Sequence, residues 1–228
     1  NLRAHLILVG RKEEQNVAIA DLSLASGLSP VGRPLRFEVT VSNEGIEKAQ
    51  NVKVTLQVDN GAPVDQLVIP NIPAEESRSV SLFARLDSDI WHSVTAKISQ
   101  DRMPFDDSRT LAVRGIKEIK ALLVDGDPGQ EPREAESFFL RHALTPVPFA
   151  ERAEYFIKPE LITASEIARI RFDDYDVVVL ANVTALTEAQ SQLLERYVRR
   201  GGGLLVFPGA RISPPYYNQT LHRILNLL

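Results

Sequence analysis

Apolar and polar residues alternate along the first half of the chain and gather into runs along the second, with the change of texture near residue 115. Leu35-Arg-Phe-Glu-Val-Thr-Val41 puts every second residue on one face, as a strand with one buried side requires, and Val52-Lys-Val-Thr-Leu-Gln-Val58 repeats the pattern. Further strands are predicted at Val17–Leu24, Val64–Ile69, Val80–Leu86, Ser93–Ile98 and Thr110–Val113. Asn60-Gly61 reads as a hairpin turn, because both residues tolerate positive φ. Seven short strands, separated by frequent turn residues and without helical periodicity, predict a sandwich of immunoglobulin type. Trp91 is expected in its core, and the neighbouring His92 partly exposed.

The second half follows a different rule. Ala121-Leu-Leu-Val-Asp125, Tyr175-Asp-Val-Val-Val-Leu-Ala181 and Leu204-Leu-Val-Phe207 are apolar without alternation, as strands covered on both faces are. A further strand is predicted at Glu154–Lys158. Helices are predicted over about Glu134–Ala143, with Ala135, Phe138 and Phe139 on one side, and over Ser165–Ile170. After Tyr175–Ala181, Thr187 stands at an N-cap with Gln190 at capping-box spacing. Leu186, Ala189, Leu193, Leu194, Tyr197 and Val198 form the apolar face of that helix, and Gly201-Gly202-Gly203 ends it. The order β-α-β-α-β-α-β predicts a flavodoxin-like doubly wound parallel sheet with strand order 2-1-3-4.

Composition is that of a globular chain: 228 residues, 44% hydrophobic and 25% charged, with a formal net charge of −4. Residues 1–115 carry 13 basic and 15 acidic groups, and residues 116–228 carry the same numbers, so neither half has the basic bias of a nucleic-acid binder. With no cysteine there is no disulfide, thiolate metal site or cysteine nucleophile. No apolar run reaches the length of a membrane span, so no direct membrane contact is expected of this stretch. Asn1 leads almost at once into the strand-like His5–Val9, and the chain stops inside the helix-like Leu221–Leu228. The expectation is a piece of something longer: residues 1–14 as the tail strand of a preceding domain and a joint, 15–115 as the sandwich, and 116–228 as an α/β domain incomplete at its C-terminus.

Candidate chemistry gathers at the switch point of the parallel sheet, where ligands of such sheets bind. The residues placed there are Asp125, Gly126 and Asp127 after the first strand, Asn182 and Thr184 after the third, and Gly209 and Arg211 after the fourth. Asp125 and Asp127 could hold Mg²⁺ or supply a nucleophile and an acid, or serve as turn and N-cap residues. The glycine run ends a helix and starts a strand, the reverse of a phosphate loop. In the sandwich, Asp101, Asp106 and Asp107 offer clustered oxygens to a hard cation, or form a turn whose short acids accept from local backbone N–H groups.

Two resemblances follow. Pro34-Leu-Arg-Phe-Glu-Val-Thr-Val-Ser-Asn43, Ala49-Gln-Asn-Val-Lys-Val-Thr-Leu56, Ile72-Pro-Ala74 and Asp101-Arg-Met-Pro-Phe-Asp-Asp107 together resemble CARDB domains. These are fibronectin-like sandwiches of bacterial surface and envelope proteins. Leu122-Leu-Val-Asp-Gly126, Tyr175–Val183 and Tyr197-Val-Arg-Arg-Gly-Gly-Gly-Leu-Leu-Val-Phe-Pro-Gly209 resemble the class I glutamine amidotransferase-like fold. The likeness is to its non-canonical members in von Willebrand A and Bat-like (aerotolerance-type) membrane proteins. That resemblance implies a preceding von Willebrand A domain, and an extracytoplasmic or periplasmic location on a membrane-anchored protein. It also implies, in true amidotransferases, a nucleophilic cysteine where this chain has Val206-Phe-Pro-Gly-Ala210. His222, the one histidine downstream, is followed by no acid, and Ser213 sits in no nucleophile elbow.

The expected function is therefore a non-catalytic interaction or structural module of a larger bacterial envelope protein, an amidotransferase-like fold without its chemistry. No catalytic residue and no cofactor are expected. The expected partners are other domains of the same protein and further envelope proteins. The alternative is a small-ligand or metal-binding domain, or a hydrolase-like enzyme, using the acidic switch point.

Overall fold

The computed structural model describes residues 15–99 and 101–222. The strand expected within residues 1–10 and the helical segment beyond residue 222 lie outside the described residues. The chain divides into two units, Asn1–Lys117 and Glu118–Leu228, each with its own apolar core.

In the first unit the alternating segments form β1 (Val17–Leu24), β2 (Leu35–Asn43), β3 (Ala49–Val58), β4 (Pro63–Ile72), β5 (Ser77–Ala84), β6 (Trp91–Lys97) and β7 (Ser108–Arg114). They make two antiparallel sheets, β1-β2-β5 and β4-β3-β6-β7. Phe37, Val39 and Val41 of β2 and Leu82 of β5 belong to one buried cluster with Val54 and Leu56 of β3 and Val94 and Ala96 of β6. Each Val, Leu or Phe side chain among them, fully buried, contributes about 1.5–3 kcal/mol before chain entropy is counted. The period of two is thus what makes the layers.

Two expectations fail here, both by one residue. The β3–β4 turn is built on Asp59 and Asn60, with φ of 50° and 59°, and Gly61 is not at positive φ. Asp59 is drawn into that place because its carboxylate accepts from the Ser93 backbone N–H at 2.8 Å and meets His92. The second correction is Trp91, which is 67% exposed, while His92 is 3% exposed. Val94 and Ala96 point inward, so strand parity carries His92 inward and turns Trp91 out.

The buried imidazole is fully engaged. His92 Nδ1 lies 2.6 Å from Asp59 Oδ2, and Nε2 lies 3.0 Å from the Ser88 carbonyl oxygen. With acceptors on both sides the ring is suited to carry two protons. The hydrogen bond to Asp59 raises the His92 pKa, partly opposed by burial, and the same bond lowers that of Asp59.

In the second unit β8 (Ile119–Asp125), β9 (Ile157–Thr163), β10 (Val177–Ala181) and β11 (Gly203–Phe207) are all parallel, in the order β11-β10-β8-β9. In chain order that is 2-1-3-4. Helix α1 (Phe138–Leu144) follows β8, and α2 (Glu188–Arg199) joins β10 to β11. The capping box of α2 forms as expected: Thr187 Oγ1 accepts from the Gln190 N–H, and the Gln190 side chain accepts from the Thr187 N–H.

The corrections in this unit lie mostly before β10. β9 begins at Ile157, three residues later than predicted from the sequence, after a 3-10 turn over Phe149–Glu154. It includes Pro159, which an edge strand tolerates. α1 is shorter than expected and buries none of its residues; Phe139 is exposed. The helix expected at Ser165–Ile170 is a 3-10 turn over Ala164–Arg169. On α2 Leu193 is exposed, and Ser191 takes the inner face, its hydroxyl 2.9 Å from that of Tyr216. β11 is an edge strand with Leu205 and Phe207 exposed, rather than a buried one.

The His92–Asp59 pair sets an expected pH dependence. His92 gains a raised folded pKa, so its contribution is full below about pH 6.5 and is lost as pH rises through the folded value. Asp59 has a lowered folded pKa, so its share is present above about pH 4 and is lost as pH falls through the folded value. Both describe one interaction, strongest between those limits. Denaturant melts at pH 5.5 and 8.5 should show greater sandwich stability at the lower pH, with the difference reduced in Asp59→Asn; an equal difference in the variant would assign it to other groups.

Candidate functional site

β8, β10 and β11, three neighbouring strands of the parallel sheet, end side by side, which brings Asp125, Gly126, Asp127, Asn182, Gly209 and Arg211 together. Backbone bonds fix the meeting: the Gly126 N–H donates to the Ala181 carbonyl oxygen at 2.8 Å, and the Asn182 N–H to that of Phe207 at 2.9 Å. A side chain on Gly126 would collide with the Asn182 carbonyl, so glycine is required by close approach. Asn182 itself sits at φ 50°, a left-handed conformation that its short polar side chain tolerates.

The side chains there bond chiefly to one another. Asp125 is 1% exposed; its Oδ1 accepts from the Asp127 N–H at 2.9 Å, and its Oδ2 from the Ser137 N–H at 3.0 Å and the Ser137 hydroxyl at 2.5 Å. Asn182 accepts from the Arg211 N–H at 2.8 Å and donates to Glu136 at 2.9 Å. The Arg211 guanidinium lies 2.9 Å from Asp127, in a pair that remains partly solvated. One polar chain thus runs Glu136–Asn182–Arg211–Asp127. Thr184 is exposed, and its carbonyl oxygen accepts from the Ser213 N–H.

Beside this network, Tyr217 donates its hydroxyl to the Val183 carbonyl oxygen at 2.6 Å, and Tyr216 is buried. Burial pushes the Tyr217 hydroxyl up to about 12, with the neighbouring Tyr216 adding to it. On the β9 side a cavity of about 420 Å³ is lined by Asp125, Ser137, Arg141, His142, Thr163 and Glu166, among others.

Glu136 and Ser137 complete the network and were not among the expected residues. Ser137 could have been found as the N-cap residue of a helix starting at Phe138. Glu136 carries no local signal, since its partner lies 46 positions away.

The other candidate group is in the sandwich, between β6 and β7. Carboxylate oxygens of Asp101, Asp106 and Asp107 lie within 4.8 Å of one another. Asp101 accepts from the Met103 N–H at 2.7 Å, as a turn acid does, and from the distant Val17 N–H at 2.9 Å. Asp106 Oδ2 accepts from the Asn16 amide at 2.9 Å, and Asp107 Oδ2 from the Asp101 N–H at 3.2 Å. Burial raises the Asp107 pKa, and the charges of Asp101 and Asp106 add to this against the Asp101 backbone hydrogen bond.

Removing the Asp125 carboxylate leaves the buried Ser137 N–H and hydroxyl and the Asp127 N–H without their acceptor. At about 1–3 kcal/mol for each buried donor left unmet, Asp125→Ala should destabilise the second unit by roughly 3 kcal/mol. Urea unfolding measures this; a change within about 0.5 kcal/mol, the range of an ordinary surface substitution, would free Asp125 for another role.

The CARDB family model matches residues 19–102. A search of curated proteins finds no match. Among solved structures, the CARDB domain of PF1109 from Pyrococcus furiosus is similar at 14% identity and a TM-score of 0.41, over 46% of this chain and 97% of that one. That crystal holds di-metal ions, which belong to that protein. A putative cell surface protein from Methanosarcina acetivorans is similar at 17% identity and a TM-score of 0.38, over 46% of this chain and 94% of that domain. A cycloisomaltooligosaccharide glucanotransferase from Paenibacillus sp. is similar at 9% identity and a TM-score of 0.36, over 86% of this chain and 28% of that one. Likenesses at these scores carry nothing about activity or ligands. Within the first unit, residues 19–102 are a CARDB domain.

Proposed function

We propose that this chain is a non-catalytic structural and interaction module of a larger bacterial envelope protein, pairing the CARDB domain with a flavodoxin-like, amidotransferase-like domain that lacks the family's chemistry. The observation that carries this reading is the closed polar network at the strand ends. Asp125 spends both oxygens on Asp127 and Ser137, and Asn182, Glu136, Arg211 and Asp127 bond in sequence. A working nucleophile or metal site needs polar atoms aimed at a reacting group, and these are aimed at one another. The chain has no cysteine, and β11 runs out into Pro208-Gly209 where amidotransferases keep the nucleophile. The strand order 2-1-3-4 supports the flavodoxin-like assignment. The CARDB match supports display among envelope proteins, on the extracytoplasmic face, with other domains of the same protein as first partners.

The competing reading would place a small ligand in the cavity beside Asp125 and Arg141, or Mg²⁺ at Asp127. Ammonia release from glutamine, with calorimetric titration by Mg²⁺ and by inorganic phosphate, decides between them. The module reading expects no turnover, no Mg²⁺ heat removed by Asp127→Ala and no phosphate heat removed by Arg141→Ala. Saturable binding lost in the matching variant would replace it with the ligand-binding reading.

A further inference from the structure

We propose that Asp101, Asp106 and Asp107 bind a hard divalent cation of the calcium class where the start of β1 meets the β6–β7 loop. A turn accounts for part of this cluster only. The Met103 N–H within the loop and the Val17 N–H from β1 occupy Asp101, and Asp106 and Asp107 each use Oδ2. Three further oxygens, Asp106 Oδ1, Asp107 Oδ1 and Asn16 Oδ1, are shielded from solvent and have no hydrogen-bond partner. Asp107 is 4% exposed as a whole residue. Buried polar atoms are almost always paired, because an unpaired one costs its full desolvation, and a carboxylate costs more than a neutral group. Here two of the three belong to acids whose ligand atoms, with those of Asp101, lie within 4.8 Å of one another. Like charges gathered and desolvated in this way call for a positive charge among them.

The donor set selects the ion. Every candidate atom is a carboxylate oxygen, with no imidazole or thiolate, which is the chemistry of hard cations rather than zinc or copper. The spread suits ligands at about 2.3–2.6 Å from one centre, the range of calcium. Shielded oxygens also require the ion to shed water, which magnesium does reluctantly.

The placement gives the ion a structural task. Asp101 accepts from Val17, and the Ile19 N–H donates to the Asp106 carbonyl oxygen at 2.9 Å, so the loop already touches β1. β1 belongs to one sheet, and β6 and β7 to the other. An ion here clasps one edge of the sandwich across its two layers.

The test uses the whole 228-residue chain after chelator treatment, titrated calorimetrically with Ca²⁺ and with Mg²⁺ and melted with and without Ca²⁺. The expected result is one saturable Ca²⁺ site at least tenfold tighter than for Mg²⁺. The sandwich melting temperature should rise by about 5 °C or more at a hundredfold excess over Kd. Asp107→Asn and Asp106→Asn should each weaken Ca²⁺ at least tenfold, yet melt no lower than the parent in chelator, because a neutral amide relieves the crowded charge. Absence of saturable Ca²⁺ binding by the parent chain up to about 10 mM, well above the affinities of weak extracellular modules, would overturn the proposal. So would equal affinity for Mg²⁺, or Ca²⁺ binding unchanged in both variants. If Asp107→Asn fails to fold, the parent titration and Asp106→Asn still decide the matter. The strand-end network of the second unit plays no part in this outcome, so failure here leaves that reading standing.

Discussion

The second unit depends on a constraint of backbone approach. Two central parallel strands, β8 and β10, are buried on both faces and end within hydrogen-bonding reach of each other's loops. Polar groups at such strand ends have little water to turn to, so each must find a partner in the protein. Gly126 permits the approach by having no side chain, and Asn182 permits it by accepting a left-handed backbone. Once those two residues are placed, Asn182 can reach Arg211 on one side and Glu136 on the other, and the three loops close as one piece.

Polar residues gathered at strand ends can thus bond to one another as well as to a ligand. The position of a site follows from strand order, but its activity follows from which polar atoms remain free. Asp125 and Asp127 are engaged at the strand ends, while among the described residues the buried oxygens without a partner lie in the sandwich, on Asn16, Asp106 and Asp107.

What was legible in the residues was whatever repeats. Period-two alternation found β2 and β3, β-rich runs between turn residues found the other five strands of the sandwich, and the capping residues Thr187 and Gln190 located α2. Less legible were features decided by a single distant contact. Trp91 and His92 exchange inside for outside because Val94 and Ala96 set the parity of their strand, and Asp59 confirms it from 33 positions away. β9 was misplaced because Pro159 discourages a strand reading that an edge position allows. α1 was overestimated because its apparent apolar face has nothing buried on it in the described residues. At the switch point the gathered residues were foreseen from topology. Their mutual pairing was not, since it rests on the unheralded Glu136 and Ser137.

The outward position of the single tryptophan has a practical consequence. Indole emission reports the polarity around the ring, and the ring of Trp91 already stands largely in water in the native state. Its emission will therefore shift less on unfolding than that of a buried indole would. It will answer instead to anything that settles on the outer face of β6, which makes the residue a built-in reporter of docking rather than of folding.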